Sequence, residues 1–188
     1  MLDLNKGTNI NLSKEYSLIT NFKVKIKWDV HTTNLSDFNI DANAILLKED
    51  GKVRNDFDLI FYNCMKAQSD SPIIHKCATT SEVNNEEFDV SLNKIPNDVN
   101  KVAFTLTIYK GEKRKQSFKQ VRNAYVTLVD ATSNVEIAKY SFENEDTSIT
   151  SLILCEIYKH NNDWKFKAVG QGFNHGMKAL EQNYGIGQ

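Results

Sequence analysis

The sequence predicts an all-β protein, an antiparallel β-sandwich with one C-terminal helix and minor helical turns. Apolar residues alternate with polar ones at a period of two in many short runs. Clusters of turn residues separate those runs, and only one stretch, near the C-terminus, has helical spacing. Short strands with antiparallel-style alternation and no long helices between them are the pattern of two packed sheets.

In chain order, Phe22, Val24, Ile26 and Trp28 alternate with Lys23, Lys25 and Lys27, which puts the apolar groups on one face and the charge on the other. Further apolar or β-branched runs predict strands at 42–48, 57–63 and 87–92. Val102, Phe104, Leu106 and Ile108 alternate with Ala103, Thr105 and Thr107, a second half-buried strand. A helical turn is expected over 116–122, then strands at 124–129, 135–142 and 151–158. Trp164, Phe166 and Ala168 against Lys165 and Lys167 make the last strand. Glu49 to Lys52, Asn97-Asp98, Thr132 to Asn134 and Asn161 to Asp163 are the polar turns between runs. Phe173, Met177, Leu180 and Tyr184 fall on one helical stripe, predicting a helix over 174–183 that stops at Gly185. Gly176 costs that helix about 1 kcal/mol against Ala, so close packing on a sheet is expected there. Five of the eight glycines lie between 170 and 187, which marks the C-terminal segment as the one needing positive φ or close backbone approach.

At 188 residues, 40% hydrophobic and with only two prolines, the chain suits one well-buried core, so a single domain over 1–188 is expected. Charged residues make up 25% and the net charge is −1, so no global pull toward nucleic acid or membrane is expected. The N-terminus lacks a basic-then-apolar leader and no apolar run approaches the roughly 18 residues of a membrane span, so the expectation is a cytoplasmic protein without direct membrane insertion. Cys64, Cys77 and Cys155 are odd in number and form no C-x-x-C pair, which argues against a disulfide framework or zinc ribbon.

Motifs for catalysis are thin. His31, His75, His160 and His175 lack the i, i+4 spacing of a zinc helix, and no nucleophile elbow or Walker loop is present. Gly170, Gly172 and Gly176 depart from the dinucleotide fingerprint, and the alternating strand–helix context is missing. Nothing in the sequence brings Cys64 and His75 together as a thiolate–imidazole pair. The segment 110–122 holds six cations against Glu112, with Phe118 among them. Such interleaving suits an anion, but the acidic balance and the lack of a recognised motif argue against nucleic acid as a partner. No enzymatic activity is expected.

Several segments together carry a family resemblance: Leu4 to Gly7, Asn11 to Ser13, Trp28-Asp29, Phe38 to Leu47, Phe61 to Asn63, Phe118 to Ala124, and Trp164 to Met177 closed by Tyr184-Gly185. In these the chain resembles the TerD family of bacterial tellurium-resistance and stress proteins, from near residue 3 to residue 185. The resemblance implies a calcium-binding β-sandwich, and partners among other tellurium-resistance proteins, some membrane-associated. The family's ligands come from an F-D-L-D-A segment, an F-Y-N segment and an acidic glycine-rich loop. Here Asn39 replaces the first Asp, Asp41 and Asn63 remain, and the stretch from His75 to Glu87, where the acidic loop is expected, contains no glycine. The candidate ligands are therefore Asp29, Asp41, Asn63, Glu86 and Glu87, with Asp37 nearby, and the calcium site is expected to be degenerate, weak or lost. The implied function is a non-enzymatic stress-response protein, active against tellurite or another toxic agent, that works by binding or assembly. The alternative is a small-molecule or nucleotide-binding protein using the sandwich cleft or the basic 110–122 segment.

Overall fold

The computed structural model describes residues 1–30, 38–61, 71–77 and 84–187. Twelve strands in two six-stranded sheets account for most of them. In chain order the strands are β1 (Leu2–Leu4), β2 (Asn9–Asn11), β3 (Asn21–Val30), β4 (Ile40–Leu47), β5 (Leu59–Ile60), β6 (Ile73–Cys77), β7 (Asn85–Ser91), β8 (Lys101–Ile108), β9 (Val121–Asp130), β10 (Glu136–Phe142), β11 (Ser151–His160) and β12 (Asp163–Phe173). The helices are α1 (Leu12–Glu15), α2 (Gly111–Arg114) and α3 (Gly176–Tyr184). The first sheet has the order β1-β10-β9-β3-β7-β6 and the second β2-β12-β11-β8-β4-β5. Every pairing is antiparallel except β1 with β10. Among the described residues no helix is long and apolar enough to cross a membrane.

The alternation in β3 does what its period dictates. Phe22, Val24 and Ile26 are buried in the core between the sheets, and Lys23, Lys25 and Lys27 line the outer face. Phe104 from β8 meets Phe88 from β7 edge-to-face across that core, with centroids 5.4 Å apart at 63°. β8 departs from the half-buried expectation, because Ala103, Thr105 and Thr107 are buried as well as Val102, Phe104 and Leu106. The reason is α3. It covers the outer face of the second sheet, where Leu180 and Tyr184 pack with Ile45, Leu47, Ala103 and Ile153 in a second apolar cluster. Burial pushes the Tyr184 phenol pKa well up.

Two further segments differ from expectation for local reasons. Over 57–63, a 3-10 turn (Asp56–Asp58) precedes the two-residue β5. The Asn55 side chain accepts from the Phe57 N–H at 2.9 Å, and the buried Asp58 accepts the Arg54 N–H at 2.7 Å and its guanidinium Nη2 at 2.6 Å. Those side chains hold the backbone in a turn that a ladder would have straightened. Over 116–122, the helical turn is a 3-10 turn at Phe118–Gln120, and α2 lies just before it. The Ser117 N–H donates to Gln120 Oε1 at 2.9 Å, and the chain re-enters a strand at Val121.

The C-terminal glycines act in distinct ways. Gly170 has φ +60 at a bulge where the register with β11 slips, and a Cβ there would run into the Tyr140 hydroxyl from the opposite sheet. A Cβ on Gly172 would lie 2.6 Å from Ile149 Cγ2. Gly176 differs from the close packing expected of it: nothing lies nearer than 3.8 Å to its Cβ position, and its φ of +54 is what glycine supplies.

Phe104→Ala is expected to destabilise the protein by about 3–5 kcal/mol in urea denaturation, since it opens a cavity at the sheet-to-sheet contact. Gly172→Val should lower the melting temperature far more than Lys178→Ala on the exposed face of α3. Equal melting temperatures would remove Gly172 from the packing scheme.

Candidate functional site

Two places on this scaffold gather polar chemistry. The first is the open end of the sandwich where β4, β6 and β7 begin or finish. In β7 the core-facing residues are Phe88 and Val90, so Glu86 shares their side and Glu87 the opposite one. Glu86 Oε2 contacts Nε2 of His75, whose imidazole is fully buried. The imidazole stacks on Phe88, with centroids 4.4 Å apart at 10°. Asp41 stands at the start of β4 opposite Thr107, and Thr107 Oγ1 donates to its carbonyl at 3.4 Å. Burial raises the Asp41 carboxyl pKa, the negative charge of Glu86 raises it further, and His75 partly offsets both.

The expected ligand residues therefore divide. Asp41 and Glu86 feel one another's charge. Glu87 lies on the outer face of the first sheet, with its carboxylate 3.4 Å from Lys23 Nζ and 3.9 Å from Lys25 Nζ. Asp29 is exposed and accepts from Asn123 Nδ2 at 2.8 Å. Asn63 and Asp37 lie outside the described residues. Of the stretch compared with the acidic loop, His75 to Cys77 belong to β6 and Asn85 to Glu87 to β7, paired across the ladder with Lys76 opposite Glu87. Calcium takes six to eight oxygens, and among the described residues no group of three or more His, Cys, Asp or Glu is placed to hold a metal. Asp41 and Glu86 alone do not fit such an ion.

The second place was less legible. Around α2 the basic segment meets the N-terminal end of α3. The His175 N–H and Nδ1 both lie 2.8 Å from Glu112 Oε1, and the Gly176 N–H donates to Thr150 Oγ1 at 2.9 Å. Glu112 thus faces the positive end of the α3 dipole. On one side of this bridge is a cleft of about 540 Å3 bounded by Asp41, Leu59, Tyr109, Lys110, Met177 and Glu181, among others. On the other is a cleft of about 520 Å3 bounded by Lys115, Ser117, Lys119, Thr147, Ser148 and Asn174, among others. Glu112, Thr150 and His175 line both. Lys110 Nζ lies 4.8 Å and Arg114 Cζ 5.4 Å from the centroid of the half-exposed Tyr109 ring. A hydrogen bond with Lys110 lowers the Tyr109 phenol pKa. The six cations of 110–122 pointed to this region, but the partners Thr150, Met177 and Glu181 come from elsewhere in the chain, where Met177 marked only a helix and Thr150 and Glu181 carried no signal.

The TerD domain model matches residues 1–184. This chain belongs to the TerD family. Across 188 residues it is 37% identical to the tellurium resistance protein TerD of Serratia marcescens, covering 98% of this chain and 97% of that one. It is 31% identical to general stress protein 16U of Bacillus subtilis (strain 168), again over 98% and 97% of the two chains. A solved structure of a TerD homologue from Streptomyces coelicolor A3(2) superposes with a TM-score of 0.63 at 16% identity, covering 88% of this chain and 98% of that one. That match establishes a shared TerD fold.

His75→Ala is expected to cost about 3–5 kcal/mol, since it leaves a largely buried Glu86 carboxylate without its imidazole and opens space beside Phe88. Glu87→Ala should cost no more than about 1 kcal/mol, because its lysine pairs lie on the outer, part-exposed face of the sheet and each lysine keeps access to solvent. Urea denaturation of both variants checks the contrast.

Proposed function

We propose that this protein is a non-enzymatic stress-response module of the TerD family, acting against tellurite or another toxic agent by binding or assembly with partner proteins. The observation that carries this reading is the similarity, over nearly the whole length of both chains, to proteins named for tellurium resistance and general stress. The partners are other tellurium-resistance proteins, some of them membrane-associated, and the site of action is the cytoplasm. Support for a non-catalytic role comes from three reactive groups among the described residues, His75, His175 and Cys155. His75 is held by Glu86 and Phe88, and His175 by Glu112. Full burial pushes the Cys155 thiol pKa well up, which suppresses the nucleophilic thiolate.

Calcium binding in this reading is weak or lost. Two carboxylates near one another are a poor substitute for an acidic loop, and each lost carboxylate removes both charge and a dehydration partner for the ion. Any residual site uses Asp41 and Glu86 with Asn63 as a neutral ligand. Glu87 faces the other side of β7 and takes no part.

Expression of the intact chain in a bacterial strain lacking its own TerD homologue should restore growth on tellurite, and Phe104→Asp should abolish the rescue by preventing folding. A well-folded protein that restores growth under no tellurite or oxidant dose overturns the reading. In calorimetric titration, calcium should bind at one weak site or none. Binding of one ion should disappear in Asp41→Ala and persist in Glu87→Ala, whereas tight binding of two ions sinks the degenerate-site argument.

A further inference from the structure

Among the described residues, seven other than glycine have positive φ. Four are asparagines, at 123, 134, 161 and 162, whose short amide suits the left-handed region. The remaining three are Lys110 (φ 52), Lys115 (φ 55) and His175 (φ 71). All three stand around the paired clefts beside the Glu112–His175 bridge. Glycine would take these conformations without strain, yet each position carries a basic side chain. Strain retained at clustered positions points to a use for the side chains that bear it.

The chemistry of the two clefts is complementary and unequal. The cleft beside Lys115 and Lys119 is lined by hydroxyls and amides, Ser117, Thr147, Ser148 and Asn174 among them, and its Glu112 carboxylate is engaged by His175, which leaves the two lysines to suit a tetrahedral oxyanion. Among the described residues no carboxylate forms a salt bridge with either lysine. The cleft across the bridge presents Leu59, Tyr109 and Met177 as an apolar wall, and Asp41, Glu112 and Glu181 line it together with Lys110 and Lys113. Three carboxylates against two lysines favour an uncharged ring over an anion there, and the carboxylates can accept its hydrogen bonds. At about 540 and 520 Å3 the two clefts are of the size that holds small organic ligands.

We propose that the protein binds a small organic phosphate of nucleotide type here, with the phosphate against Lys115, Lys119 and Ser117 and the ring lying across the bridge against Tyr109 and Met177. A continuous nucleic-acid strand is disfavoured, because Asp41, Glu112 and Glu181 interrupt the basic surface and the chain as a whole carries a net charge of −1. Asp41 is shared with the calcium reading, whereas Lys115, Lys119, Ser117 and Tyr109 are not, so variants at those residues test this site separately.

The test is an amide-resolved NMR titration of the full chain with AMP, adenosine, inorganic phosphate and a short thymidine oligonucleotide at about 0.15 M salt. AMP should shift the Ser117, His175 and Gly176 amides saturably with a Kd below roughly 1 mM. Inorganic phosphate should move the Ser117 side alone, and adenosine should bind at least about tenfold more weakly than AMP. Lys115→Gly combined with Lys119→Ala should weaken AMP binding at least about tenfold while leaving the melting temperature unchanged or higher, since glycine relieves the left-handed backbone. Tyr109→Ala should weaken AMP and spare phosphate. The proposal is overturned if AMP gives no saturable shift at these amides, if the double variant binds AMP as the parent does, or if the oligonucleotide binds more tightly than AMP.

Discussion

The face-to-face burial of two six-stranded sheets is the constraint from which the remaining features follow. Its centre is aromatic: Phe88 on one sheet meets Phe104 on the other edge-to-face, and Phe22, Phe118 and Phe166 are fully buried in the same cluster. Interiors packed to crystal density transmit a local misfit to their neighbours. The bulge at Gly170 belongs to the same constraint, because only a residue without Cβ leaves room there for the Tyr140 hydroxyl of the facing sheet. The polar groups at the sandwich mouth are then obliged to satisfy one another, which explains why the buried His75 is found against Glu86 and Phe88.

The outer faces of the sheets part company. On the first, Lys23 and Lys25 from β3 flank Glu87, and Lys76 pairs with Asp89, a part-exposed lattice of opposite charges. On the second, Ile45, Leu47, Ala103 and Ile153 make an apolar face that requires a cover, and α3 provides it. Covering that face also sets the N-terminal end of α3 beside the basic α2 segment, tied there by Glu112 and Thr150. The clefts on either side of the bridge thus follow from how the core is closed, and Lys110, Lys115 and His175 stand around them on left-handed backbone at the caps of α2 and α3.

Much of the fold was legible because strand periodicity is a local property. The alternation from Phe22 to Trp28 names its buried face without reference to any partner. The stripe of Met177, Leu180 and Tyr184 likewise marked a helix whose boundaries shifted by only a residue or two. The short strands β1, β2 and β6 left no such mark, since three to five residues supply too few alternations and depend on the ladder they join. Asp56 to Asp58 misled for the opposite reason: an apolar run followed it, but Asn55 and Arg54 captured the backbone into a turn.

The candidate site was legible in its ingredients and not in its assembly. Glu86 and Glu87 are adjacent in a strand and must face opposite ways, and the alternation with Phe88 and Val90 turns Glu86 inward; what each of them meets depends on the register of β7 with β3 and β6. By itself the sequence determined the layered all-β architecture, the C-terminal helix and the family, because alternation, helical spacing and motif identity are carried by neighbours in the chain. Tertiary structure alone decided that Lys23 and Lys25 are the residues Glu87 meets, that Asp41 feels Glu86, and that Lys110, Lys115 and His175 surround one pair of clefts. These are relations between residues far apart in sequence, set by strand pairing and by the packing of α3, for which no local pattern exists.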